Sequence, residues 1–169
     1  MLLKKISFTI LFIIGNITFM QADETTKTFI GVSSVGLLEG SSGDGLNSHF
    51  PGFGLKAGYY MTEKLSLAGE VLYTRPEYGT QKVDVVDYIG SVNYDLDAIN
   101  STIPFISTGF GYRTISDVSD RDDWSFILGA GIKIPLNDSF QLTGDAKARW
   151  NLEKDEQGML GTIGVNYSF

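Results

Sequence analysis

The last eleven residues of the chain, 159–169, alternate between two kinds of side chain. Counting back in twos from the C-terminus gives an apolar and aromatic set: Met159, Gly161, Ile163, Val165, Tyr167 and Phe169. The interleaved residues are small and mostly polar: Leu160, Thr162, Gly164, Asn166 and Ser168. A strand of about ten residues with this alternation can cross a bilayer when tilted, with one face towards lipid and the other towards a lumen. The segment therefore predicts a membrane-crossing strand, provided that other strands close a barrel around it.

Seven further segments show strand alternation and are separated by turn chemistry. They are 28–38, 50–61, 65–74, 83–96, 104–113, 124–134 and 140–150. The even total predicts an all-β fold, an eight-stranded antiparallel up-and-down transmembrane β-barrel whose first and last strands pair. The facing of the first strand is left open, because both of its faces mix apolar and small residues.

Glycines and aromatic residues decide which face of the alternation points inward. The polar face is rich in glycine: Gly54, Gly58, Gly109, Gly111, Gly129, Gly131 and Gly164. Glycine weakens strands, so a water-exposed face gains nothing from it, whereas a small barrel filled by its own side chains needs the space. The aromatic residues fall on the apolar face, mostly towards strand ends, as in the girdles at membrane interfaces. The apolar face is therefore predicted to meet lipid.

The first 22 residues have the layout of a secretory signal. Lys4 and Lys5 precede an apolar run that extends to about Phe19, and Ala22 is a plausible last residue, although the cleavage site is not fixed. Residues 1–22 are thus predicted to be a signal peptide and residues 23–169 one outer-membrane barrel domain. Without the two lysines, 11 basic and 20 acidic residues remain, a net charge of −9 that disfavours nucleic acid as a partner. The chain has no cysteine, so it is expected to fold without disulfides.

Loop lengths orient the predicted barrel. The connections 61–64 and 135–139 are short, whereas 39–49, 75–82, 114–123 and 151–158 are longer and polar. Short turns are typical of the periplasmic side, so both termini are expected in the periplasm and the long loops outside the cell. The segment 97–103 would also lie on the periplasmic side, where it would be longer than the other two connections.

The chain resembles the small outer-membrane β-barrels typified by the membrane domain of OmpA-like proteins. The resemblance covers the mature chain and rests on the eight-strand spacing, the segment 104–112 (PFISTGFGY) and the aromatic C-terminal strand. It implies that the last strand is the signal read by the outer-membrane assembly machinery, with these residues: Gly161, Ile163, Val165, Tyr167 and Phe169. No peptidoglycan-binding domain is expected after Phe169, so that part of the family's role is not carried over.

A set of charged residues falls on the predicted inner face. Its members are Lys56, Glu70, Asp87, Arg113, Lys133, Asp145, Lys147 and Arg149. Buried charges are very costly unless they are paired and hydrogen-bonded, so a mixed-sign network that fills the lumen is expected. The preferred interpretation is structural filling; a gated ion path is the alternative, which a barrel this narrow disfavours.

Catalytic and metal-binding interpretations have little support. An enzyme would have to use His49, the only histidine, and its neighbour Ser48 would point to the opposite strand face, so the two could not readily form a nucleophile and base. The loop 114–123 offers several carboxylates, but its spacing matches no known calcium loop, and whether it binds calcium is left open. No helix follows the glycines around Phe53 and Phe110, so a dinucleotide-binding turn is excluded. No cofactor is expected.

These observations predict a monomeric outer-membrane barrel with a structural or surface-interaction role, such as loop display, envelope integrity or adhesion. A small non-specific pore is the first alternative, and a lipid A-modifying barrel enzyme is the second. Expected partners are outer-membrane lipids and lipopolysaccharide, the assembly machinery during biogenesis and an extracellular ligand of the loops. The sequence does not identify that ligand.

Overall fold

The computed structural model describes residues 27–41, 44–78, 81–115, 123–152 and 157–169. They form ten strands: β1 (Thr28–Ser41), β2 (Asp44–Tyr60), β3 (Leu65–Thr74), β4 (Glu77–Tyr78), β5 (Gln81–Lys82), β6 (Val85–Asp95), β7 (Ile103–Ile115), β8 (Asp123–Pro135), β9 (Phe140–Asn151) and β10 (Gln157–Ser168). Among the described residues, no helix is long and apolar enough to span a membrane.

Eight of the strands close into a barrel in the order β1-β10-β9-β8-β7-β6-β3-β2, and every neighbouring pair is antiparallel. The closing pair is β1 with β10, in register from Phe29 opposite Ser168 to Gly40 opposite Gln157. Closure satisfies the backbone hydrogen bonds of both terminal strands and removes the open edges that make sheets prone to aggregate. The eight-stranded antiparallel barrel predicted from the sequence is confirmed, and its last strand is the closing strand.

We call the end of the barrel that carries Phe169 the proximal end, and the opposite end the distal end. At the proximal end, Phe169 exchanges two backbone hydrogen bonds with Thr28, at 3.1 and 3.0 Å. The tight turn after β2 is held by Thr62, whose hydroxyl accepts hydrogen bonds from the backbone N–H groups of Lys64 and Leu65. The turn after β8 uses the side-chain oxygen of Asn137 in the same way. Local side-chain acceptors of this kind allow tight reversals.

The longer proximal connection between β6 and β7 is itself a small hairpin. Ile99 and Thr102 exchange backbone hydrogen bonds of 2.8 and 2.9 Å across Asn100 and Ser101, which both have positive φ angles. This is the geometry of a type I′ turn, which suits the twist of a two-stranded ribbon. Asp97 joins the hairpin to the neighbouring turn through an exposed salt bridge of 2.7 Å to Lys64. The hydrogen bond between them lowers the pKa of Asp97 and raises the pKa of Lys64.

Two predicted distal loops contain strand. The segment 39–49 belongs largely to β1 and β2, whose pairing continues to Ser41 opposite Asp44 through two register shifts. The segment 75–82 contains the two-stranded sheet β4-β5. The loop predictions are wrong for these residues because polar side chains indicate exposure to solvent, whereas strand pairing is made by the backbone and does not require an apolar face.

The barrel wall separates two kinds of side chain along each strand. In β3, every second residue from Ser66 to Thr74 is buried, while the intervening residues are partly exposed on the outside. In β1, Phe29 and Val35 are buried, whereas Ile30 and Val32 are exposed on the outer face. The structure therefore shows which residues of the first strand point inward, a question that the sequence left open.

Candidate functional site

The distal half of the lumen holds a cluster built around Asp87. Asp87 and Arg113 are directly opposed on β6 and β7, and the guanidinium donates two hydrogen bonds to the carboxylate, at 2.8 and 3.0 Å. Arg149 approaches the same carboxylate from β9, with Nη1 at 3.7 Å from Oδ1. All three residues are buried. Two-pronged contact between a guanidinium and a carboxylate fixes geometry as well as charge, so this cluster holds three strands together from inside.

The central cluster is an ion triad that crosses the bore. Lys147 Nζ lies 2.9 Å from Glu70 Oε2 and 2.8 Å from Asp145 Oδ1. Lys147 and Asp145 belong to β9 and Glu70 to β3, which lies four strands away in the closed order, on the opposite wall. The side chains of Lys147 and Glu70 are only 1% and 2% exposed. A pair this well enclosed is stable only because each charge has its counter-charge within hydrogen-bonding distance.

The proximal cluster combines an ion pair with aromatic rings. Lys133 Nζ donates hydrogen bonds to both carboxylate oxygens of Asp95, at 2.5 and 2.7 Å, and to the hydroxyl of Tyr60, at 3.1 Å. The same ammonium lies 5.0 Å from the ring centroid of Tyr60 and 5.2 Å from that of Phe105, within the range of a cation–π contact. Phe29 packs against Tyr60 at 5.6 Å between centroids, so the cluster reaches from β8 to β1.

Seven of the eight predicted lumen charges lie in these three clusters. Among the described residues, no carboxylate lies within salt-bridge distance of the eighth, Lys56, whose Nζ is 5.9 Å from the Phe105 ring centroid. The sequence-based set omitted Asp95 and Tyr60. Asp95 lies an even number of residues from Asp87 on β6, and Tyr60 lies an even number from Lys56 on β2, so all four side chains point inward. This alternation was the signal that could have identified Asp95 and Tyr60. Asp123, which was assigned to a loop, begins β8 and is buried opposite Arg113.

The outer surface carries aromatic residues near both ends of the barrel. Towards the distal end, ring pairs lie 5.0 to 6.1 Å apart between centroids: Phe53 with Tyr73, Tyr112 with Trp124, Phe110 with Phe126, and Phe126 with Trp150. At the proximal end, Tyr167 packs against Phe140 and Phe169, at 5.1 and 5.9 Å. Between these groups, exposed aliphatic residues cover the wall: Ile106, Leu128, Ile132 and Ile163. An apolar band flanked by aromatic girdles is the surface that a barrel presents to lipid.

The residues of the predicted assembly signal lie on this outer surface. Ile163 is 69% exposed, and Val165, Tyr167 and Phe169 are exposed on the same side of β10. Gly161 shares their parity and lies between Ala146 and Gly36 of the two neighbouring strands. The set therefore forms one continuous outward stripe along the closing strand.

The structure describes only part of the residues considered for catalysis, His49 and Ser48, and for calcium binding, the loop 114–123. The backbone of His49 lies in β2 opposite Leu37, while the side chains of His49 and Ser48 lie outside the described part of the structure. Residues 116–122 of the acidic loop also lie outside it. Within the described ranges, no group of three histidine, aspartate or glutamate residues could hold a metal ion.

Comparison with known proteins agrees with this architecture. The family model described as the outer membrane protein beta-barrel domain matches residues 9–169. The chain belongs to this family of outer-membrane β-barrels. A search among curated proteins found no match.

Several solved outer-membrane barrels superpose on the chain. Ail, the attachment invasion locus protein of Yersinia pestis, has a TM-score of 0.64 at 17% identity, covering 85% of this chain and 98% of Ail. Neisserial surface protein A has a TM-score of 0.68 at 16% identity, covering 84% and 97%. The N-terminal barrel domain of Pseudomonas aeruginosa OprF has a TM-score of 0.59 at 18% identity, covering 83% and 97%. At these identities the likeness concerns the fold.

Proposed function

We propose that this outer-membrane barrel is a closed scaffold that displays its distal loops outside the cell and has no enzymatic role. The observation that carries the proposal is the triad of Lys147, Glu70 and Asp145, which joins opposite walls across the bore. Ions passing through the lumen would have to displace charges that are already paired and desolvated. The functional residues would then lie on the outer surface and in the distal loops, where binding residues of rigid scaffolds commonly lie.

The orientation follows from the two ends of the barrel. The described proximal turns are short and closed by local hydrogen bonds, whereas the segments 116–122 and 152–156 connect strands at the distal end. Outer-membrane barrels place short turns in the periplasm and longer loops outside. We therefore propose that the proximal end with Phe169 faces the periplasm, and that residues 1–22 are a signal peptide removed during export.

The distal segments favour a cationic ligand. Together, the segments 39–49, 75–84, 116–122 and 152–156 contain ten acidic and four basic residues. Ail has been solved with the heparin analogue sucrose octasulfate, a polyanion that this acidic surface would repel. Opposite charge steers association and like charge opposes it, so we propose that any ligand of these loops is a basic protein or peptide surface.

The orientation is tested by placing an epitope in the segment 116–122. We expect an antibody to label intact cells, because the segment would lie outside the outer membrane. An epitope in the proximal turn 136–139 serves as the control and should be labelled only after permeabilisation. Labelling of the second epitope alone on intact cells would reverse the proposed orientation.

One observation favours a small pore as the second candidate. Lys56 faces the lumen and keeps partial exposure, and no described carboxylate lies within salt-bridge distance of its ammonium, so we infer that water reaches part of the inner wall. Recording of the purified barrel in a planar bilayer separates the two candidates. A flat current baseline is expected of the closed scaffold, and reproducible unitary steps would establish the pore instead.

An enzymatic role is tested by the variant His49→Ala. A change in the mass profile of lipid A would reveal such a role; we expect no change.

The outward stripe of β10 is proposed to be the assembly signal. Phe169→Ser should lower the amount of barrel in the outer membrane several-fold, because the terminal outward aromatic would be lost to the assembly machinery. Phe140→Ser is the matched control, since Phe140 contacts the same Tyr167 ring from β9 but lies outside the signal. Membrane levels and refolding into vesicles would both be measured. Equal losses of membrane-inserted protein for the two variants would show that Phe169 acts only through packing against Tyr167 and not as part of an assembly signal.

A further inference from the structure

Five apolar side chains meet inside the barrel. They form one cluster with exposures of 0 to 3%: Val35, Leu72, Ile89, Ile127 and Leu160. They come from β1, β3, β6, β8 and β10, five of the eight barrel strands, and so converge from most of the wall. All five occupy inward positions, and most other inward residues are polar or small, apart from the aromatic residues Phe29, Tyr60 and Phe105 of the proximal cluster. We call this group the apolar septum.

Two of the three remaining strands, β2 and β7, leave room for the septum, whereas β9 places Lys147 beside Leu160 and Arg149 beside Ile127. A methyl group on Gly54 of β2 would lie 2.6 Å from Leu72 Cδ2 and 3.4 Å from Val35 Cγ2. A methyl group on Gly111 of β7 would lie 2.8 Å from Ile127 Cδ1. Contacts this short show that the aliphatic side chains lie directly over the two glycine backbones. The septum therefore extends across β2 and β7, which contribute no side chain to it.

Charged clusters lie on both sides of the septum. On β6, the inward residue next to Ile89 towards the distal end is Asp87, which binds Arg113 and Arg149. On β3, the inward residue next to Leu72 towards the proximal end is Glu70, which binds Lys147. The septum thus separates the distal cluster from the central triad.

We infer that this septum closes the lumen to ions in series with the central triad, and that loss of the septum is sufficient to open a conducting path. An apolar constriction excludes water and can close a channel by dewetting. An ion entering it would exchange its hydration shell for aliphatic side chains on most of the wall, which is very costly in a low-dielectric interior. Val35, Leu72, Ile89, Ile127 and Leu160 are then the residues that determine permeability.

The inference rests on the proposed closed scaffold and locates its seal. The test uses Leu72→Ser, Ile127→Ser and the double variant, each recorded in planar bilayers after heat-dependent electrophoretic mobility has confirmed a folded barrel. The matched apolar control is Leu128→Ser, which makes a similar change on the outer face of the same strand as Ile127. The matched charge control is Asp95→Asn with Lys133→Met, which removes one complete ion pair of the proximal cluster.

We expect unitary current steps from the septum variants, most frequently from the double variant, and flat baselines from both controls and the unsubstituted barrel. Folded septum variants that stay silent would overturn the inference, as would conduction by the charge control. Conduction by the unsubstituted barrel would instead contradict the closed scaffold itself. Single Leu160→Ala, a smaller change in the same layer, gives a further folded variant to record if the double variant does not insert.

Discussion

Replacing Lys147 with methionine is expected to destabilise the folded barrel by about 3–5 kcal/mol, the range found when one partner of a buried ion pair is removed. Lys147 is the only described cation within salt-bridge distance of Glu70 and Asp145. Methionine keeps much of the length and volume of the side chain, so packing changes little while two buried carboxylates lose their counter-charge. The measurement is a urea titration of the barrel in lipid vesicles.

The matched control for this variant is Lys64→Met. Lys64 also forms a salt bridge of 2.7 Å, with Asp97, but that pair is exposed in the proximal turns. Exposed pairs contribute little because water and salt screen them. The two substitutions make the same chemical change, so the difference between the unfolding free energies of the two variants measures the effect of burying the ion pair. Equal unfolding midpoints for the two variants would show that the interior of the barrel is well solvated and that the triad is not a buried one.

The two-residue period of the sequence was sufficient to predict the fold. Every barrel strand has one face that lies outside and one that lies inside, and a shift of one residue would exchange them. Only β1 could not be oriented in advance, since Phe29 and Val35 face inward while Ile30 and Val32 are equally apolar and face outward. Its facing is determined by pairing with β10 and β2, which is a property of the closed barrel and not of the segment.

The pairing of the lumen charges could not be read from the sequence. Parity identifies which charged residues point inward, but it does not say which walls they bridge. The contact between Lys147 and Glu70 joins residues that are 77 positions apart on opposite strands, and it follows from strand order and stagger around the closed barrel. Adjacent-strand pairs such as Asp87 and Arg113 are easier to anticipate, since they become neighbours once consecutive strands are paired in register.

The apolar septum was missed although its residues are visible in the sequence. Leu160 was placed in the small, mostly polar set of its strand, but an isolated aliphatic residue in a polar set carries no sign that it belongs to an apolar layer. The convergence of the septum residues depends on the relative heights of β1, β3, β6, β8 and β10. A residue-by-residue assignment of faces therefore finds the lumen lining, whereas the division of the lumen into layers needs the three-dimensional register.

The second large effect concerns the lipid-facing wall. Leu128→Arg should cost about 2–4 kcal/mol, because the guanidinium would enter the apolar band near the middle of the membrane. Leu128 lies near the centre of β8, between Thr108 and Ala148, and is 50% exposed on the outer face. The cost of an arginine falls towards the membrane interfaces. Ile132→Arg, on the same face but closer to the proximal end, should therefore destabilise the barrel less in the same vesicle titration.

An arginine on the inner wall should act by a different mechanism. Ser107 is buried, and a methyl group on the facing Gly129 would lie 2.6 Å from its hydroxyl and 3.0 Å from Lys147 Cγ. Ser107→Arg would thus crowd the lumen and bring a second cation to the central triad. Adding Lys147→Met should relieve part of that cost, since the new guanidinium could pair with Glu70 or Asp145, whereas the costs of Leu128→Arg and Lys147→Met should add as for independent sites. If Lys147→Met relieved both arginine variants equally, residues 107 and 128 would not lie on opposite faces of the wall.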